Sequence, residues 1–111
     1  MMTEEKKLVG SEGGIIAGDV HIALIPLAAD EYHNGMPLSF TAPSYGYQSN
    51  VAAADAFYCG HPQTRRTDGN PGDAVVGGEI SEAGIVDDSG NKVTITEANR
   101  KALRANGFYP K

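Results

Sequence analysis

Between Ile15 and Leu27 the chain alternates in a way that predicts a strand. Val20, Ile22 and Leu24 fall on one face and Asp19, His21, Ala23 and Ile25 on the other, which suits a strand buried more on one side than the other. Pro26 cannot donate to a ladder and marks the strand's end or an edge, and Ala17-Gly18-Asp19 reads as a bulge or turn. The polar run from Asp30 to Gly35 ends in Asn-Gly, a hairpin-turn dipeptide, and Met36 to Phe40 follows as a short strand. Residues Pro43 to Asn50 read as a loop. Val51 to Gly60 is a strand or, through Ala52-Ala53-Ala54, a short helix, with extended structure near Phe57-Tyr58-Cys59. His61 to Asp73 is a long polar segment, a length at which loops are usually functional or disordered. No internal repeat is visible.

The C-terminal third carries the clearest pattern. Pro71-Gly72 opens a turn, and Ala74-Val75-Val76 through Ile80 has the short β-branched character of a strand. Ala83 to Val86 and Lys92 to Ile95 flank Asp87-Asp88-Ser89-Gly90-Asn91, which predicts a hairpin. The period then changes. Either Thr94 or Thr96 can cap a helix of about residues 95–106, and Thr94-x-x-Glu97 fits a capping box. Acid stands at its start and base near its end, as the helix dipole favours. Gly107 sits where a left-handed residue stops a helix, and Phe108 follows within reach of Leu103. The helix has only a thin apolar edge of Ile95, Ala98, Ala102 and Leu103, so it needs a sheet to lie on.

Fourteen glycines among 111 residues are nearly twice the usual ~7 per cent, and with six prolines they imply many turns and few long helices. The expected fold is therefore mainly β: a small sandwich- or barrel-like domain over residues 15–111, preceded by a flexible N-terminal arm, residues 1–14, and closed by one short C-terminal helix. A net charge of −5 with nine dispersed basic residues argues against nucleic-acid binding. The longest apolar run, Ile22 to Ala29 interrupted by Pro26, is far short of the ~20 residues of a membrane span, and the charged start has no secretory-signal pattern. A protein made and kept in the cytoplasm until it joins a partner is expected. The single cysteine, Cys59, excludes an intramolecular disulfide.

The sequence AVVGGEISEAGIV, then a short loop, then TEANRKALRANG and a terminal aromatic residue resembles the C-terminal end of tailed-bacteriophage head decoration proteins, the capsid-stabilising or cement proteins of the lambda type. In that family a glycine-punctuated strand precedes a helix whose last turn reads approximately ALRANGI, and Ala102 to Phe108 stands in its place here. The likeness covers roughly the last forty residues. It implies a viral structural protein, and not an enzyme, that binds the outer surface of an expanded capsid. The partner is then the major capsid protein, the copies form a homotrimer, the arm helps to grip the shell, and the protein ends in the virion. Within the arm, Lys6, Lys7, Leu8 and Val9 are the candidates for capsid contact, since a strand-like patch there could add to a sheet edge.

Other chemistry is sparse. His21, His33, Cys59 and His61 are the possible metal ligands, but the Cys-x-His step at 59–61 has no second pair at finger spacing, so neither a metal nor a cofactor is expected. The Asp-rich stretches 68–73 and 87–91 lack the ligand spacing of a calcium loop and read as solvated turns. No nucleophile elbow or phosphate-binding loop occurs, and no catalytic residue is assigned. Tyr45 and Tyr47 suit subunit or capsid contacts because Tyr carries large area at low entropic cost, and Arg65 and Arg66 could pair with carboxylates. Two other readings stay open: a low-copy virion or tail part, and a small enzyme or sugar-binding domain using His33, Tyr45 and His61.

Overall fold

The computed structural model describes residues 14–60, 64–66 and 71–111. Eight strands form: β1 (Ile16–Ile25), β2 (Asp30–Tyr32), β3 (Pro37–Thr41), β4 (Ser44–Tyr47), β5 (Ala56–Tyr58), β6 (Thr64–Arg66), β7 (Gly72–Ile80) and β8 (Phe108–Pro110). Among the described residues one α-helix, α1 (Glu97–Ala105), precedes β8, and short 3-10 turns lie at Val51–Ala53 and Glu82–Gly84. The main sheet runs β1-β7-β5-β3-β4, antiparallel throughout, with β8 added parallel to β7. Beyond β1 the chain meets the far edge. Tyr45 N–H donates to Pro26 O (2.8 Å) and Ala28 N–H to Tyr45 O (2.9 Å), which ties the two ends of the path at one corner. The fold is mainly β with one short C-terminal helix, as composition and pattern predict.

The middle strands are buried on both sides, because the sheet separates two apolar clusters. On one side Ala56, Tyr58 and Ala74 join Ile25, Leu27, Tyr32, Met36 and Leu38. On the other, Phe57 and Val75 join Ile15, Ile80, Ile85, Leu103 and Phe108. Successive residues of β5 thus point into different clusters, which is the period-2 geometry of a strand.

Several boundaries depart from the pattern reading. Tyr45 and Tyr47 lie in strand β4, paired with β3, where a loop is expected. β2 and β3 flank Asn34-Gly35 but do not pair with each other; β2 pairs with β6, so the Asn-Gly turn redirects the chain and makes no hairpin. Arg65 and Arg66 correspondingly stand in a strand inside the long polar segment. The expected hairpin around residues 87–91 reduces to one bridge, Val86 to Lys92, because residues 82–84 wind into a 3-10 turn. The 51–60 stretch takes both offered forms in succession, the 3-10 turn and then β5.

The helix cap also moves. Thr96, not Thr94, is the N-cap, and Asn99, not Glu97, completes the box: Asn99 N–H donates to Thr96 Oγ1 (3.1 Å) and Thr96 N–H to Asn99 Oδ1 (3.0 Å). Thr94 is excluded because Val93 and Ile95 are drawn onto the cluster beneath, which holds this stretch extended. Gly107 has φ +92 and ends the helix as expected. Arg100 holds α1 to the 3-10 turn, donating through Nε and Nη2 to Glu82 (2.5 and 3.1 Å) and through Nη1 to Glu97 (3.1 Å).

That fork lowers the Glu82 carboxyl below its ordinary 4.5, with partial burial opposing. A lowered folded value means stability present above the ordinary range and lost as pH falls through the folded value. The pair is partly exposed and screened by solvent, so its contribution at neutral pH is small. In urea unfolding, Glu82→Gln is expected to cost stability at pH 7 and to cost less at pH 3. An equal cost at both values would contradict the linkage.

Candidate interaction surface

Lys6, Lys7, Leu8 and Val9 lie outside the described residues. Tyr45 and Tyr47 share one side of β4, both half-buried against the Leu38 cluster. Tyr45 stands edge-on to Phe40 (ring centroids 5.2 Å, 61°), and Phe40 is itself 50% exposed, so the β3–β4 hairpin presents an aromatic pair at its tip. Tyr47 instead turns toward the 87–91 loop. Burial, and after it the charges of Asp88 and Asp87, push its hydroxyl up. Asp87 organises that loop: its Oδ1 accepts from Ser89 N–H and Asn91 N–H (both 2.9 Å), and these bonds hold the carboxyl below the usual range. Thus the two tyrosines, equivalent in sequence, differ in availability, and Tyr45 with Phe40 is the more accessible unit.

Besides Phe40, the exposed large apolar side chains that the sequence pattern assigns to no contact are Ile22 (52% exposed), Leu24 (67%) and Tyr109 (53%). For β1 the alternation itself is right, but the buried side is the one with Ala23 and Ile25; the side with Val20, Ile22 and Leu24 is covered only at Val20. The cause is the short reach of the cluster under α1, which shelters Val20 and stops before Ile22. The signal in sequence was three apolar residues on a strand face opposite one carrying Asp19 and His21. It gave no clue to where the cover ends.

Shallow depressions on the described surface include the following two. One is bounded by Asp19, Val20, His21 and the backbone of Gly77, Gly78 and Gly107; the other by Glu82, Lys92, Thr94, Ile95 and Lys111. Among the described residues no three His, Cys, Asp or Glu side chains converge as metal ligands would. No helix of the described residues is long and apolar enough to cross a membrane.

Cys59 packs against the Phe57 cluster, and burial, with Asp73 adding negative charge, pushes its thiol from 9.0 up to about 11. Two pKa units leave roughly a hundredfold less thiolate at neutral pH, and thiolate is the reacting form. Ellman's reagent at pH 7.5 is expected to titrate Cys59 at least about tenfold more slowly in the folded protein than in urea, because the greater nucleophilicity of a higher-pKa thiolate offsets part of the lost thiolate fraction. Comparable rates would show the thiol to be open. No protein-family model matches this chain, and no curated protein matches it.

Proposed function

We propose that the protein is a capsid decoration protein, a virion component that binds the outer surface of an expanded tailed-phage head and stabilises it. The observation that supports this reading most is the unit made by residues 71–109, the stretch that resembles the lambda-type cement proteins. Its glycine-punctuated strand β7 lies at the heart of the sheet, and its ALRANGF turn brings the chain back so that β8 pairs alongside β7 with Phe108 in the core. The resembling residues are thus the framework of the domain and not a surface tail.

Stabilisation follows from mass action. A module that binds the expanded shell, and neither the unexpanded nor the dissociated one, adds its binding free energy to the intact head. Many copies on a symmetric lattice turn a modest contact into a strong one. In this reading the partner is the major capsid protein, copies cluster as homotrimers at threefold points, and residues 6–9 contact the shell. Tyr45, with Phe40 beside it, is available for subunit or capsid contact.

The test is co-sedimentation with expanded heads of the parent phage lacking this protein, with unexpanded shells as control. Saturable binding to expanded heads alone, at a copy number near that of the major capsid subunit, supports the reading. Binding of about a dozen copies would favour a low-copy virion part, and no binding at micromolar protein would overturn the proposal.

A further inference from the structure

Strand β1 ends the sheet path, and among the described residues no strand pairs with its outer side. Its two halves differ. Ile16 faces Ile80 and Val20 faces Gly78, so β1 takes four steps where β7 takes two, and Ala17 to Asp19 carry the excess. Such a bulge spoils the addition of another strand and is one way that edges are protected. From Val20 to Ile25 the strand is regular, because the later irregularity, between His21 and Ile22, places the extra residue on β7. This half reads Val-His-Ile-Ala-Leu-Ile, with no Lys, Asp, Glu, Pro or Gly. It lacks the devices that keep edges from pairing. It also carries two of the exposed large apolar side chains, Ile22 and Leu24.

We propose that His21–Ile25 is a self-association edge on which a second copy of this chain docks, β1 antiparallel to β1, about a two-fold axis at Ala23. The occupant follows from self-complementarity. A two-fold normal to the sheet keeps every side chain on its own side, so a residue meets only partners of its own parity. Centred on Ala23, the pairing sets Ile22 against Leu24 of the partner subunit and Leu24 against the partner's Ile22. Both exposed residues are then covered by each other, as directly opposed apolar pairs favour. Centring on Val20 or His21 would set Leu24 against Ile16 or Gly18, at or within the bulge. Centring on Leu24 would set Ile22 against Pro26, which has no N–H and whose carbonyl is already taken by Tyr45. Centring on Ile22 would set Leu24 against Val20, which is already partly covered.

A contact of five residues per strand is smaller than a standard interface, so the pair is weak in solution and gains strength where copies are held near one another. The inference does not rest on the capsid reading. A two-fold contact through β1 leaves other surfaces for threefold clustering, so either contact can fail without the other.

Disulfide trapping tests it. The separate full-length variants Ile22→Cys and Leu24→Cys, both at exposed positions, are mixed under mild oxidation. Mixed dimers are expected at least tenfold faster than from Ala17→Cys mixed with Leu24→Cys, since facing residues in an antiparallel pair lie within disulfide reach. Rates equal to that control would overturn the proposal, as would Ile22→Cys alone dimerising as fast as the mixture. On the unsubstituted protein, hydrogen exchange at the outward β1 amides is expected to slow as concentration rises, and Ile22→Lys to abolish that dependence with the circular dichroism unchanged. Protection independent of concentration would mean that the chain's own residues cover the edge, and no protection at millimolar protein would mean that nothing does; either result would overturn it.

Discussion

Gly35→Ala is expected to destabilise the fold by at least about 3 kcal/mol, the cost of forcing an L residue into a left-handed conformation compounded by a backbone collision. Gly35 has φ +96, and a Cβ built there would lie 1.8 Å from the carbonyl oxygen of Gly84. No side-chain rotation relieves that overlap, because the obstacle is main chain. Three segments meet at this point: Gly35 N–H donates to Tyr58 O (2.7 Å), and Val86 N–H donates to Gly35 O (3.2 Å). Moving them apart would loosen β5 from the β2–β3 turn and the turn from the stretch after Glu82–Gly84. Urea unfolding of Gly35→Ala beside Gly46→Ala provides the contrast. A Cβ at Gly46 would meet nothing within 4 Å, so the second variant should stay within about 1 kcal/mol of the parent. Equal stability of the two would refute the close-approach argument.

Phe108→Ala carries the other large expected effect, about 3–5 kcal/mol, the usual range for deleting a buried Phe from a packed core. Phe108 has no exposed surface and meets Phe57 edge-on, with ring centroids 5.0 Å apart and planes at 90°. It shares its cluster with Leu103, so the same ring secures the helix end and β8. A nine-residue helix is not stable in isolation, and most of its stability comes from packing. Losing this ring should therefore raise amide exchange along α1 more than along β3. Tyr109→Ala, one residue on and half-exposed, should change stability by no more than about 0.5 kcal/mol. A Phe108→Ala protein as stable as Tyr109→Ala would show that α1 is anchored elsewhere.

Residue pattern was a good guide wherever one local rule acts alone. The strand ending at Pro26, the bulge at Ala17–Asp19 and the Gly107 helix stop are each dictated by a donor that proline lacks, an extra residue, or a backbone angle that glycine tolerates. It was a poor guide wherever two local solutions were equally acceptable. Thr94 and Thr96 are both chemically competent caps, and only the pull of Val93 and Ile95 toward the cluster beneath decided for Thr96. Asn34-Gly35 is an acceptable hairpin turn, yet Asp30–Tyr32 found its partner in Thr64–Arg66, some thirty residues on, and no turn rule reports on a pairing so distant. The candidate surface behaved likewise. Tyr45 and Tyr47 look alike in sequence, and they part company only because the Asp87-centred loop packs beside one of them.

By itself, then, the sequence determined the class of the fold, a glycine-rich, mainly β domain with one capped C-terminal helix, because propensity, turn chemistry and capping act within a few residues. Tertiary structure alone decided which strands became neighbours and which side of β1 was buried. A strand's two sides become distinguishable only when something covers one of them, and for Ile22 and Leu24 the cover ends at Val20.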